Sequence, residues 1–155
     1  AGFNGPLLYS SYTPPSADYS VFMTMAVDAA INFVGGPAGR IDIATGNCYA
    51  VYWNGGAGEW RLDTTTSIGV YAGDAPTTAK TVELRMAGSS IKVLIDGVER
   101  ISVTDTTYTN AGRPGGYFVG GAATRTHDNW QVDVAAGGGT PVPVFLHNLQ
   151  QQGIA

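Results

Sequence analysis

The chain has one cysteine, two histidines, three glutamates and few charges, and each shortage removes a class of function. Cys48 has no partner for an intrachain disulfide, so packing alone must hold the fold. Within Asn47-Cys48-Tyr49-Ala50 it reads as a small buried hydrophobe, not a reactive thiol. No Cys/His spacing suits zinc, and no metal or cofactor is assigned. His127 and His147 are the only histidine bases, and neither lies beside a nucleophile elbow. The eight Lys and Arg are scattered through a chain of net charge −4, which excludes a basic face for nucleic acid. No apolar run nears the roughly 20 residues of a membrane span, and no signal peptide is visible. The start at Ala1 without an initiator Met suggests a trimmed, processed or partial chain.

What is abundant points to strands. Glycine reaches 22 of 155 residues, about twice its ~7% average usage, alongside many Thr, Val and Tyr. The stretch Thr81–Asp105 is the clearest pattern. Val82, Leu84 and Met86 alternate with Thr81, Glu83 and Arg85; Gly88-Ser89-Ser90 turns the chain; Ile91, Val93 and Ile95 alternate again. Asp96-Gly97 then predicts a type I′ hairpin leading to Val98, Ile101 and Val103.

Val21, Met23, Met25 and Val27 predict one face of a strand, and 31–34 and 39–43 predict a strand pair around Gly35-Gly36-Pro37. Two aromatic-rich strands, 47–53 and 59–63, flank the loop Asn54-Gly55-Gly56-Ala57-Gly58. Further strands are expected at 7–9, 67–71, 116–120 and 127–134, the last with Trp130, Val132 and Val134 on one face. Some ten to twelve short strands without a helix predict an all-β, antiparallel two-sheet sandwich over residues 1–134. A Gly-rich linker, 135–140, precedes a tail, 141–155, whose Val142, Val144, Phe145, Leu146 and Leu149 are too apolar to idle. The tail is expected to dock, either on its own sandwich or on a partner.

Several pieces in order carry a resemblance: Ser16-Ala17-Asp18-Tyr19-Ser20-Val21, Gly39-Arg40, Tyr49-Ala50-Val51-Tyr52, Glu59-Trp60-Arg61-Leu62, Ile91–Gly97, Val103-Thr104-Asp105 with Ala111-Gly112-Arg113, and Asp128-Asn129-Trp130. Together they resemble the concanavalin A-like lectin/glucanase superfamily in its laminin-G-like jelly-roll form, over Leu7 to Val134. The resemblance implies a jelly roll of the kind found in bacterial secreted proteins and in bacteriophage tail, fibre and head-decoration proteins. Members usually carry a strand or two before the position of Leu7. Here either the chain is a fragment or a neighbour's strand fills that edge.

Glycosidases of the superfamily carry a Glu-x-Asp-x-Glu strand, whereas Glu59, Glu83 and Glu99 are never four apart, so no enzyme is expected. Asp96 and Glu99 flank a hairpin and read as turn chemistry. Some laminin-G-like domains bind calcium, but Asp42, Asp105 and Asp128 read as strand-end residues. The leading expectation is a non-enzymatic structural or adhesive module on a virion surface, as capsid decoration or tail component. It would be anchored through Val142, Val144, Phe145, Leu146 and Leu149 to itself or to other capsid or tail subunits, as a homo-oligomer or part of a larger assembly. The alternative is a lectin-like module of a secreted or cell-surface protein, its glycan held by Trp53, Asn54, Trp60 and Tyr71.

Overall fold

The computed structural model describes residues 7–27, 33–118, 125–134, 142–144 and 149–151. These residues form thirteen strands and no helix. In chain order they are β1 (Leu7–Ser10), β2 (Tyr19–Val27), β3 (Phe33–Ile41), β4 (Tyr49–Asn54), β5 (Glu59–Asp63), β6 (Ser67–Ala72), β7 (Lys80–Ala87), β8 (Ser90–Ile95), β9 (Val98–Thr104), β10 (Arg113–Tyr117), β11 (Arg125–Val134), β12 (Val142–Val144) and β13 (Leu149–Gln151). One sheet runs β13-β1-β10-β3-β4-β5-β6 and the other β12-β11-β2-β7-β8-β9, every ladder antiparallel. The expected all-β two-sheet sandwich is what forms.

Alternation builds the core between the sheets. Tyr19, Val21, Met23 and Met25 of β2 and Val82, Leu84 and Met86 of β7 are buried, facing Val34, Tyr49, Val51, Trp60 and Leu62 from the other sheet. Asp96 and Gly97 both take positive φ, 50° and 79°, so the β8–β9 turn has the handedness that matches strand twist. The carboxylate of Asp96 also accepts the Thr81 amide at 2.9 Å and the Lys80 ammonium at 2.9 Å, while Glu99 pairs with Lys92 at 2.8 Å. Both carboxylates serve the hairpin, as turn chemistry predicts.

Residues 33–41 form one strand, where the sequence pattern predicts two. A bulge between Gly35 and Ala38 absorbs Gly36-Pro37 without ending the ladder to β4. Proline lacks a donor, and the bulge is the place in a sheet where that lack is tolerated. The predicted strand at 116–120 begins earlier, as Arg113–Tyr117, and positions 119–120 lie outside the described residues. Cys48 is fully buried, and burial pushes its thiol pKa up, which leaves it a packing group.

The tail contributes strands to both sheets of its own sandwich. Val142–Val144 pairs with Val132–Val134, and Leu149–Gln151 pairs with Leu8–Ser10. Thus β13 occupies the free side of β1, the edge for which a preceding strand or a neighbour's strand is expected. Phe145 and Leu146 lie outside the described residues.

Arg40, one residue before the end of β3, ties the loops at one end of the sandwich together. Its side chain is 1% exposed and donates to the carbonyls of Ala17 (3.0 Å), Tyr108 (2.7 Å) and Gly88 (2.9 Å). Its amide donates to the Tyr19 hydroxyl, which in turn donates to the Ala111 carbonyl at 2.8 Å. Four chain segments distant in sequence meet at this one residue.

Candidate functional site

Strand parity decides which residues of β4, β5 and β6 face outward. The ladders align Trp53 with Trp60 and Trp60 with Tyr71 across the three strands. This row faces the opposite sheet. Trp60 has no exposed surface, packs edge-to-face on Trp53 with centroids 5.5 Å apart, and donates its indole N–H to the Asp74 carbonyl at 3.1 Å. Trp53 is also buried. Neither indole offers a face for stacking on a sugar, so their expected role as ligand platforms is corrected to a core role. Tyr71 is half-buried, its ring covered by the Arg100 guanidinium at 4.9 Å and its hydroxyl bonded to Asp74 at 3.2 Å.

The neighbouring rows point the other way, because successive side chains of a strand alternate between faces. Ala50 pairs with Asp63, Tyr52 with Arg61 and Asn54 with Glu59; on β6, Arg61 pairs with Val70 and Glu59 with Ala72. The outer face of these strands therefore carries Asn54, Glu59, Arg61, Asp63 and Tyr52, with Val70 56% exposed beside them. Of the four residues expected to bind a glycan, only Asn54 lies on this face, and its carboxamide oxygen accepts the Ala57 amide at 3.2 Å.

Arg61 is the centre of the face. Its Nε lies 3.7 Å from Glu59 Oε1 and 3.7 Å from Asp63 Oδ1, and its guanidinium carbon stands 6.0 Å from the centre of the Tyr52 ring. Tyr52 donates its hydroxyl to Asp63 Oδ2 at 2.9 Å. Burial first, and that bond to Asp63 second, push the Tyr52 phenol far up, so it keeps its proton and serves as a donor. The other oxygen, Asp63 Oδ1, is buried without a hydrogen-bond partner. That oxygen faces the Arg61 guanidinium, while the more exposed Glu59 carboxylate and Arg61 guanidinium present an acceptor and a donor outward.

This row does not show the pair of glutamates four apart that marks a glycosidase strand. Glu59 and Asp63 are four apart on one strand face, with Arg61 between them. The row's sequence signal is Glu59-Trp60-Arg61-Leu62-Asp63, in which the aromatic position belongs to the opposite face. Elsewhere, Asp42 accepts from the Ala44 amide and the Thr45 hydroxyl, both at 2.9 Å, and Asp128 Oδ1 accepts the Asn129 amide at 2.7 Å. Among the described residues no group of three or more potential metal ligands occurs.

No family model matches this chain, and no curated protein matches it in sequence. Solved structures do. The carbohydrate binding module CBM66 from Bacillus subtilis superposes with a TM-score of 0.69 at 16% identity, over 84% of this chain and 83% of that one. The galectin LEC-6 of Caenorhabditis elegans superposes with a TM-score of 0.56 at 11% identity, over 85% of this chain and 98% of that one. The fold is thus a concanavalin-like jelly-roll sandwich.

Proposed function

We propose that the protein is a non-catalytic carbohydrate-binding module that reads a glycan on the outer face of β4, β5 and β6. The observation that carries this reading is the row Glu59-Arg61-Asp63 on an outward sheet face, where the Glu59 and Arg61 side chains keep 24% and 29% of their surface exposed. Adjacent sugar hydroxyls both donate and accept, and the row Glu59-Arg61-Asp63 alternates acceptor, donor, acceptor. Val70 supplies an apolar flank for the ring's C–H surface. The likeness to a carbohydrate binding module and a galectin supports the reading through fold alone. On this reading the module works outside the cell or on a particle surface.

A glycan array followed by titration calorimetry tests the proposal. Glu59→Gln and Arg61→Ala are each expected to weaken binding tenfold or more, about 1.4 kcal/mol, with thermal stability nearly unchanged. Incubation with the bound glycan is expected to leave it uncleaved. An empty array, or unchanged affinity in both variants, rejects the face as a glycan site.

The virion reading makes the tail an anchor for other subunits. The pairing of β12 with β11 and of β13 with β1 supports a tail that completes its own sandwich instead. Removing Thr140–Ala155 is then expected to lower Tm and raise self-association, because two sheet edges lose their covering strands. Thermal unfolding with light scattering measures both. A truncated chain that stays monomeric at unchanged Tm but fails to join a particle would favour the anchor.

A further inference from the structure

A cleft of about 520 Å³ opens at one end of the sandwich, between the turn 42–47 and the segment 105–113. Its size falls within the ~300–1,000 Å³ of small-ligand sites. Both walls are fixed from within. The Asp42 carboxylate accepts from Ala44 and Thr45, which closes the turn 42–47. Asp105 accepts the Tyr49 hydroxyl at 2.5 Å and the Thr107 amide at 2.8 Å, and the Tyr108 amide donates to Tyr49 at 3.2 Å. Arg40, beneath, holds the Tyr108 carbonyl. A cleft whose walls are already hydrogen-bonded loses little entropy when it binds.

Charge pairing singles out Arg113 in its lining. Seven lysine and arginine side chains are described, and six of them, Arg40, Arg61, Lys80, Arg85, Lys92 and Arg100, lie against a carboxylate. Among the described residues Arg113 is the exception. It donates to the Ser11 carbonyl, and among the described residues no carboxylate pairs with it. Asp42 is the one acid lining the cleft, and its oxygens accept from its own turn. Asn47, Thr107 and Asn110, which carry amide and hydroxyl groups, line the same cleft. A guanidinium fork presents paired donors that match the two oxygens of a carboxylate.

We propose that this cleft is a second ligand site, distinct from the β4–β6 face, that takes a carboxylate-bearing saccharide with its carboxylate on Arg113. Asn47, Thr107 and Asn110 then meet the ring hydroxyls. The saccharide part rests on the carbohydrate reading above, whereas the carboxylate part rests on the unpaired Arg113.

Amide-detected NMR titration of the full chain locates binding and separates the two sites. The probes are oligosaccharides containing glucuronate, galacturonate or N-acetylneuraminate, each beside its methyl ester. The expected result is that at least one acid moves the resonances of residues 42–47 and 107–113 and binds at least tenfold tighter than its ester. Arg113→Gln, with an unchanged resonance dispersion, is expected to abolish that preference, Arg113→Lys to keep part of it, and Arg61→Ala to leave it intact. Equal affinity for acid and ester, an Arg113→Gln variant that keeps the preference, or no cleft shifts with any acid overturns the proposal. Those outcomes leave neutral-glycan binding at the β4–β6 face standing. Loss of neutral binding in the array experiment leaves the cleft result standing in turn.

Discussion

Arg40→Ala is expected to destabilise the domain by roughly 3–5 kcal/mol, the range for stripping one member from a buried, hydrogen-bonded charge arrangement. Three carbonyls, of Ala17, Gly88 and Tyr108, lose their guanidinium donors together. Ala17 and Tyr108 are half-buried, and a buried acceptor left without its donor costs about 1–3 kcal/mol, whereas the exposed Gly88 carbonyl can turn to water. For a chain of this size the loss corresponds to a Tm drop of roughly 6–20 °C. Arg40 also holds a left-handed backbone, φ 50°, which costs a non-glycine residue roughly 1–2 kcal/mol. Arg40→Gly therefore loses the same hydrogen bonds but regains that strain, and is expected to be less destabilised than Arg40→Ala. Arg40→Lys keeps the charge without the planar fork and is expected to fall between Arg40→Ala and the parent. Urea unfolding of the three variants gives the ranking. A loss below about 0.5 kcal/mol in Arg40→Ala, the scale of an ordinary surface change, would show that water replaces the guanidinium and that the loops need no central tie.

The sequence marks strands well where a period of two runs unbroken. Thr81–Asp105 is the clearest case: the alternation of Val82, Leu84 and Met86 and the Asp96-Gly97 turn both have the expected roles. It is less informative where glycine and proline interrupt a ladder. Gly35-Gly36-Pro37 reads locally as a turn, yet neighbours on both sides hold it as a bulged strand, through pairs from Gly36 and Pro37 to β10 and from Gly35 to β4. Arg40 was visible only as part of a short Gly-Arg piece, since its partners lie 23, 48 and 68 residues away. No local pattern encodes a group whose role is to join distant loops.

The candidate site shows a different limit. On β4 and β5 nearly every residue is aromatic, aliphatic or charged, so composition does not say which parity faces water. Burial of β4 runs through Tyr49, Ala50, Val51, Tyr52 and Trp53 without alternating. The reason is a second apolar cluster on the outer side, where Leu7, Ala38, Ala50, Tyr52 and Tyr117 are all buried. A strand packed on both faces loses the in–out signature. On β5 the alternation returns, with Trp60 and Leu62 buried between half-buried Glu59, Arg61 and Asp63. The parity of β5 thus fixes the parity of its neighbours through the ladder.

Trp60→Ala tests that parity directly. A fully buried tryptophan removed from a packed core costs about 3–5 kcal/mol, and here the Trp53 edge contact and the bond to the Asp74 carbonyl go with it. Trp60→Phe keeps most of the apolar area but leaves that carbonyl without its donor, so a loss of about 1–2 kcal/mol is expected. Arg61→Ala, one residue away on the other face, is expected to cost less than about 1 kcal/mol, the scale of an exposed ion pair, while weakening glycan binding. The two adjacent positions should therefore separate cleanly, Trp60 governing unfolding and Arg61 governing binding. Tryptophan fluorescence adds an independent readout, since Trp60 should resist quenching by acrylamide in the folded state and by bound glycan alike. A Trp60→Ala variant that stays within about 1 kcal/mol of the parent and loses glycan binding would put the aromatic row on the ligand face. In that case the face carrying Asp63 and Arg61 would turn inward and the site proposed on β4–β6 would fail.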